Sequence, residues 1–158
     1  KKIKENFKKK PNNLYGQLKL DCENFLKKNY EKYCILRLFN VYGKHQPKNF
    51  FIPDIKKKII NKDQIQLNKS VRDFIHVNDV IKIIEFIVKR KLNGEYNVGS
   101  GKGIFLTSIV KMISLRIKIK SKIKITKKSD KLVANINKLR QSGYKFKITK
   151  LNKINLNT

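Results

Sequence analysis

Apolar and polar positions alternate along the chain with two different periods, and each switch between them outlines an element. Residues 14 to 29 carry Leu14, Leu18, Phe25 and Leu26 on one helical stripe, after an approach marked by Pro11 and Asn12–Asn13. Tyr33 to Phe39 is a short apolar run suited to a buried parallel strand. Gly43, Pro47 and Asn49 mark a loop, and residues 52 to 60 read as a helix. Short strands follow at residues 65 to 67 and 73 to 77. Asn78 or Asp79 caps a helix running to about Lys91, with Val80, Ile83, Ile84 and Ile87 spaced for burial. Asn93–Gly94 is a turn, Tyr96 to Val98 a strand, and Gly99 to Gly103 a strand-to-helix connection. Thr107 caps a further helix with Ile109, Met112 and Ile113 on one side. Ile117, Ile119, Ile123 and Ile125 alternate with polar positions, mostly Lys, around a break at Ser121, which predicts a strand with its Lys face in water. A last helix covers Ala134 to Ser142 and stops at Gly143. Strands alternating with helices predict an α/β fold.

Composition changes this picture in one respect. The formal charge is +28, which raises nucleic acid as a partner. The cations are 34 Lys against 5 Arg, and they are spread over the whole length. Lys, Ile and Asn make up 73 of 158 residues, all with AT-rich codons, while Ala occurs once, at Ala134. A phosphate-reading surface favours Arg for its planar fork. The lysines therefore read as a solvated surface, with weak, salt-sensitive attraction to polyanions as the residual consequence. A basic, non-enzymatic polyanion-binding module stays as the alternative of a different class. At 40% hydrophobic residues the chain has enough for a core. No apolar run reaches the roughly 18 to 20 residues that span a bilayer. With no visible secretion signal and two Cys, the expectation is a cytoplasmic protein without a disulfide scaffold.

Candidate chemistry starts with Tyr15 and Lys19, four apart and so on one helix face. A phenol serves as general acid or base when its pKa falls from about 10 toward 7, and a nearby cation supplies that shift. Taken alone the pair says little, because six Tyr among 34 Lys produce such a spacing by chance. Gly99-Ser-Gly-Lys-Gly103 imitates a phosphate cradle, but a P-loop needs Gly where Tyr96 stands. His76 reads as a satisfied strand-end histidine, and His45 has no partner in sequence. Cys22 and Cys34 have no metal-ligand spacing, and Cys34 reads as core.

The order of five blocks gives the pair its meaning. They are Pro11-Asn-Asn-Leu-Tyr-Gly-Gln-Leu-Lys-Leu-Asp-Cys-Glu23, Leu36-Arg-Leu-Phe-Asn-Val-Tyr-Gly43, Arg72-Asp-Phe-Ile-His-Val-Asn-Asp-Val80, Tyr96-Asn-Val-Gly-Ser-Gly101, and Asn135-Ile-Asn-Lys-Leu-Arg-Gln-Ser-Gly-Tyr144. Together they resemble the C-terminal half of an extended short-chain dehydrogenase/reductase. The nearest group is the NAD-dependent epimerase/dehydratase family acting on nucleotide sugars, and the resemblance covers essentially residues 11 to 151.

What this resemblance implies can be set out residue by residue. Tyr15 matches the catalytic tyrosine, which exchanges a proton with a sugar hydroxyl as hydride moves to or from the nicotinamide. Lys19 matches the lysine that tunes that tyrosine and binds the nicotinamide ribose. Phe39 falls where some members contact the nicotinamide end of the cofactor through the backbone. Asn40 matches an asparagine that binds the nucleotide-sugar. Arg72 matches an arginine that pairs with its diphosphate, a role suited to a guanidinium fork. The structural alternative for Arg72 is an ion pair with Asp73 or Asp79.

The implied fold is the C-terminal part of a Rossmann-like NAD(P)-binding fold with a small interleaved α/β substrate-binding lobe. Residues 1–43 would end the NAD-binding domain. Residues 44–158 would form the lobe, interleaved with remaining Rossmann elements at about 72–101. The family's Gly-rich N-terminal turn has no counterpart here, so the chain reads as a piece of a longer enzyme or the product of a broken gene. Alone, it is expected to be inactive, to bind NAD no better than millimolar and to be aggregation-prone. The implied cofactor is NAD, with NADP left open, and no metal is expected. The implied reaction is 4-epimerisation of a nucleotide sugar through a keto intermediate. Reduction of a nucleotide-4-keto-6-deoxysugar comes next, and 4,6-dehydration after it. The resemblance further implies a homodimer through the Tyr15 helix, and products that feed surface polysaccharide.

Overall fold

A computed structural model describes residues 1–149 and 151. Its elements are α1 (Leu14–Asn29), β1 (Cys34–Leu38), β2 (Asn40–Tyr42), α2 (Phe51–Ile60), β3 (Gln64–Asn68), β4 (Val71–His76), α3 (Val77–Lys89), β5 (Gly94–Val98), β6 (Gly103–Phe105), α4 (Leu106–Ile117), β7 (Lys122–Thr126), β8 (Lys131–Leu132) and α5 (Asn137–Gln141). This is an α/β fold with predominantly parallel pairing. β1 pairs with β5 in parallel, Cys34 against Gly94 through Leu38 against Val98. β3 pairs in parallel with β7. β4 is the spine: it pairs in parallel with β2 and β8 and antiparallel with β6.

The spine also divides the core, because alternate side chains of a strand face opposite ways. Phe74 packs with Ile55, Ile59 and Ile65 of α2 and β3 and with Ile109 and Ile113 of α4. Its neighbour Ile75 packs with Val80, Ile83 and Ile87 of α3, Val98 of β5 and Leu139 of α5.

Several local expectations are corrected. The run from Tyr33 to Phe39 forms one strand, β1, which ends at Leu38, and an unexpected second strand, β2, follows at Asn40 and joins β4. As the run suggests, β1 is a parallel strand, paired with β5 of this chain. Helix α4 continues to Ile117, because Ile109, Ile113 and Ile117 keep the four-residue spacing. It closes where Lys118 enters the left-handed region at φ 55 and donates its N–H to Ser114 O. Only Lys122–Thr126 of the alternating Ile/Lys run is therefore strand. Helix α4 starts at Leu106 without a side-chain cap, so Thr107 does not cap it. α3 is capped by His76, whose Nδ1 accepts from the Asn78 N–H at 3.1 Å, and not by Asn78 or Asp79. The last helix is short because Ala134 is drawn away from it, its N–H bonding the Asp73 carboxylate at 3.1 Å. Gly143 follows that helix with φ 97, a conformation glycine adopts without steric cost. Cys34 is exposed, not core.

Candidate functional site

Helix α1 has Asn13 as its N-cap, the side chain accepting from the Gly16 N–H at 2.8 Å. This fixes the first turn, and with it Tyr15. Lys19 follows one turn later, its Nζ 5.5 Å from the centre of the Tyr15 ring. Tyr15 is 70% exposed.

Ionic contacts show where this face lies relative to the strands. Lys27 pairs with Glu95, and Glu23 takes two bonds from Arg37, at 2.8 and 2.9 Å. In the β1–β5 register Glu95 stands beside Ile35, and Arg37 lies two residues further along β1. Stepping back along α1 from Lys27 to Glu23 therefore steps forward along β1, and the helix runs antiparallel to both strands. Tyr15 is eight residues before Glu23, about 12 Å at the helical rise. Asn40 is three residues past Arg37, about 10 Å at the strand rise. Tyr15, Lys19, Phe39 and Asn40 are thus brought to one level, at the carboxyl ends of β1 and β5. In open α/β sheets that is where ligands bind.

The clamp itself is strongly electrostatic. Arg37 also bonds Glu95 at 2.7 Å and the Glu5 carbonyl at 2.6 Å, and Lys9 reaches Glu23 at 2.5 Å. The Arg37 guanidinium beside Glu23 holds that carboxyl down at about 2. Desolvation lowers the pKa of Lys27.

Phe39 is half-buried, and its N–H donates to Val98 O at 2.9 Å. A backbone contact with a ligand therefore falls to its carbonyl. Asn40 donates from Nδ2 to the Asp73 carbonyl at 2.9 Å, which leaves Oδ1 as the acceptor end. Asn40 stands opposite Phe74 across the β2–β4 pair, and Arg72 lies two residues earlier on β4, on the same face. Ile104 of β6 stands opposite Arg72. Phe74 and Ile104 line an open cleft of about 390 Å³ together with Ser100, Met112, Ile148 and Leu151.

The ion pair of Arg72 is with neither Asp73 nor Asp79. Nη1 and Nη2 donate to the two oxygens of Asp130 at 3.0 and 2.7 Å. Asp73, fully buried, is instead a hub: its carboxylate accepts from Ser100 N–H at 2.8 Å, Ser100 Oγ–H at 2.5 Å, Gly101 N–H at 2.9 Å and Ala134 N–H at 3.1 Å. Asp79, also buried, accepts from the Thr149 N–H at 2.7 Å and hydroxyl at 3.2 Å. Burial, with Asp79 close by, pushes the Tyr42 phenol up to about 12.

Sequence reasoning missed Asp130 and did not find the roles of Asp73 and Asp79. A signal existed for two of them. Asp73 is a carboxylate inside an apolar strand run, and Asp130 is the only acid after Glu95. Among the described residues no cluster of three His, Cys, Asp or Glu is arranged to hold a metal ion, and no helix is long and apolar enough to cross a membrane.

Comparison with known proteins bears on this arrangement. CDP-abequose synthase from Salmonella muenchen is 36% identical over 93 residues, covering 56% of this chain and 32% of the relative. GDP-6-deoxy-D-talose 4-dehydrogenase from Aggregatibacter actinomycetemcomitans is 32% identical over 117 residues, covering 70% and 40%. A solved structure of UDP-N-acetylglucosamine 4-epimerase from Methanobrevibacter ruminantium M1, in complex with UDP-N-acetylmuramic acid, superposes with a TM-score of 0.80 at 26% identity. That match covers 90% of this chain and 51% of the other. The chain therefore spans less than half the length of the curated relatives it matches. Residues 1–99 match the profile of the NAD dependent epimerase/dehydratase family, and with well over half of its length inside that match the chain belongs to this family.

Proposed function

We propose that the enzyme containing this chain oxidises and reduces a sugar carbon of a nucleotide sugar, with 4-epimerisation as the first reading. The observation that carries it is the exposed Tyr15/Lys19 face, level with Phe39 and Asn40 at the carboxyl ends of β1 and β5. Family membership supports NAD as the cofactor. The residues present suit such a group: a phenol and an ammonium stand side by side on an exposed face that no other described residue covers. When bound, NAD supplies the acceptor and donor of hydride.

The chain's own residues do the rest. The Tyr15 hydroxyl exchanges a proton with the sugar hydroxyl at the reacting carbon. Lys19, one turn away, stabilises negative charge as it develops on the phenol oxygen. Phe39 meets the cofactor through its carbonyl. Asn40 Oδ1 accepts from the sugar, and Arg72 pairs with the diphosphate. In the domain reading, residues 1–43 close the cofactor domain and residues 44–158 contribute the substrate lobe, returning to the cofactor domain at about 72–101. The exposed α1 stripe of Leu14, Leu18 and Phe25 would join two copies as a homodimer.

A second reading, net reduction or oxidation at C4, is favoured by the relative named as a 4-dehydrogenase. The two separate cleanly by cofactor stoichiometry. An epimerase turns over with no net change in reduced cofactor, and a reductase consumes one per product. In the full-length enzyme, Tyr15→Phe should retain cofactor and fold while turnover falls at least ~10²-fold, the scale of a lost general acid–base group. Near-normal turnover would remove Tyr15 from the mechanism.

A further inference from the structure

Among the described residues, Arg72 is held through its Nη1 and Nη2 nitrogens and not through Nε. Nη1 and Nη2 grip the Asp130 carboxylate, and Nη1 also donates to the Val71 carbonyl at 3.1 Å. A guanidinium offers a second two-bond edge, made of Nε and the outer hydrogen of an Nη. That edge can take two oxygens of a phosphate.

Asp130 is itself fixed from several sides. Its carbonyl accepts the Val71 N–H at 2.9 Å, and its carboxylate accepts the Ser70 hydroxyl. The next two residues, β8, lie parallel against Val71 and Arg72. Four residues on, Ala134 is fastened to the buried Asp73. A segment 58 residues distant is thus bound to β4 at the one place where its only carboxylate meets Arg72. The Arg72 side chain is 21% exposed and that of Asp130 is 43% exposed.

We infer that Asp130, supported by Ser70, is a positioning residue, clamping the Nη1/Nη2 edge of Arg72 so that its Nε edge is presented to the diphosphate of the nucleotide sugar. This rests on the reading of Arg72 as the diphosphate ligand. The opposite role, Asp130 competing with the diphosphate for the same edge, is disfavoured by exposure. Water screens a carboxylate this open, so its repulsion of a phosphate is weak. Arginine is among the most rotamer-rich side chains, and fixing it before ligand arrives removes that ordering cost from binding. The Arg72 guanidinium also holds the Asp130 carboxyl below the usual carboxylate range, so the clamp stays charged at neutral pH.

The test is a double-mutant cycle in the full-length enzyme. UDP, CDP, GDP and dTDP are titrated by calorimetry, and the tightest is kept as the probe. Asp130→Asn should weaken binding about three- to tenfold, the scale of one newly ordered rotamer-rich side chain, with the loss in turnover assays falling on KM rather than kcat. In an Arg72→Ala background Asp130→Asn should add nothing. Asp130→Glu should restore part of the loss. If Asp130→Asn fails to fold, Ser70→Ala removes one support and should give a smaller loss of the same kind. Unchanged or tighter binding, or an effect fully additive with Arg72→Ala, would overturn the positioning role alone. Unchanged binding in Arg72→Ala, or no binding of any diphosphate by the wild type, would overturn the diphosphate reading of Arg72 itself.

Discussion

Helices α1 and α3 each flank parallel strands, yet they are held by opposite means. α3 buries Val80, Ile83 and Ile87 in 13 residues, together with Asp79. α1 buries no residue in 16, and its Leu14, Leu18 and Phe25 are 74%, 55% and 60% exposed. What ties α1 down is charge: Glu23 and Lys27 against Arg37 and Glu95, with Lys9 alongside. The apolar pattern marks which face of a helix wants cover. It does not say whether this chain supplies the cover. α3 is anchored by apolar burial, whereas α1 meets its own strands through ion pairs and leaves most of its apolar stripe open. In the proposed enzyme that leaves the Tyr15/Lys19 face free for ligand.

The contrast can be broken from either side. The largest effect is expected from Ile83→Ala, which empties a fully buried site in α3. It should cost about 2–5 kcal/mol, read from the midpoint of urea unfolding. A cost under about 0.5 kcal/mol would mean α3 is no better anchored than α1.

Next comes Glu23→Gln, which removes the carboxylate that Arg37 grips with two bonds. A loss of about 1–3 kcal/mol is expected, because a part-buried charged donor is left short of a partner. Amide exchange across α1 should quicken while that of α3 does not. The pH dependence has a definite sign. Glu23 titrates near 2 in the folded chain against an ordinary 4.5. Its contribution is fully present above about pH 4.5 and is lost as pH falls toward 2. Glu23→Gln should flatten that part of the acid-stability profile, and an unaltered profile would remove the clamp from the account.

The smallest effect is Leu18→Ala. With its side chain largely in water, truncation should change monomer stability by less than about 0.5 kcal/mol. The same change in the full-length protein should weaken the proposed homodimer, seen as a lower mass by light scattering at micromolar concentration. A monomer before mutation would remove the dimer from the proposal.

Much of this was legible in the sequence, and the exceptions share a cause. The bounds of α1 follow from Asn13 and the spacing of Leu14, Leu18 and Phe25, all local signals. The Tyr15/Lys19 pair follows from the same turn of helix. β2 and β6 escaped notice because three residues are too few to display a period of two. Ile117 was read as strand because alternation with Lys and a four-residue helical spacing agree at that position. The partner of Arg72 was missed because it arrives from 58 residues away. No window of local pattern spans such a distance. Exposure of Cys34 likewise depends on what leaves the β1 edge uncovered, and the identity of Cys34 does not carry that information.

The Asp73 hub has a kinetic consequence. Its four bonds join β4 to Ser100 and Gly101, 27 and 28 residues on, and to Ala134, 61 residues on. Such closures are slow to find, since a long loop must be ordered before any contact rewards it. Helices and adjacent strands can form while this carboxylate still faces water. It can shed that water only when its donors arrive, because burying it unpaired is prohibitive. Desolvation of Asp73 is therefore expected late in folding, after the chain has passed its rate-limiting step. Mutations there act mainly on how fast the native state opens and little on how fast it forms.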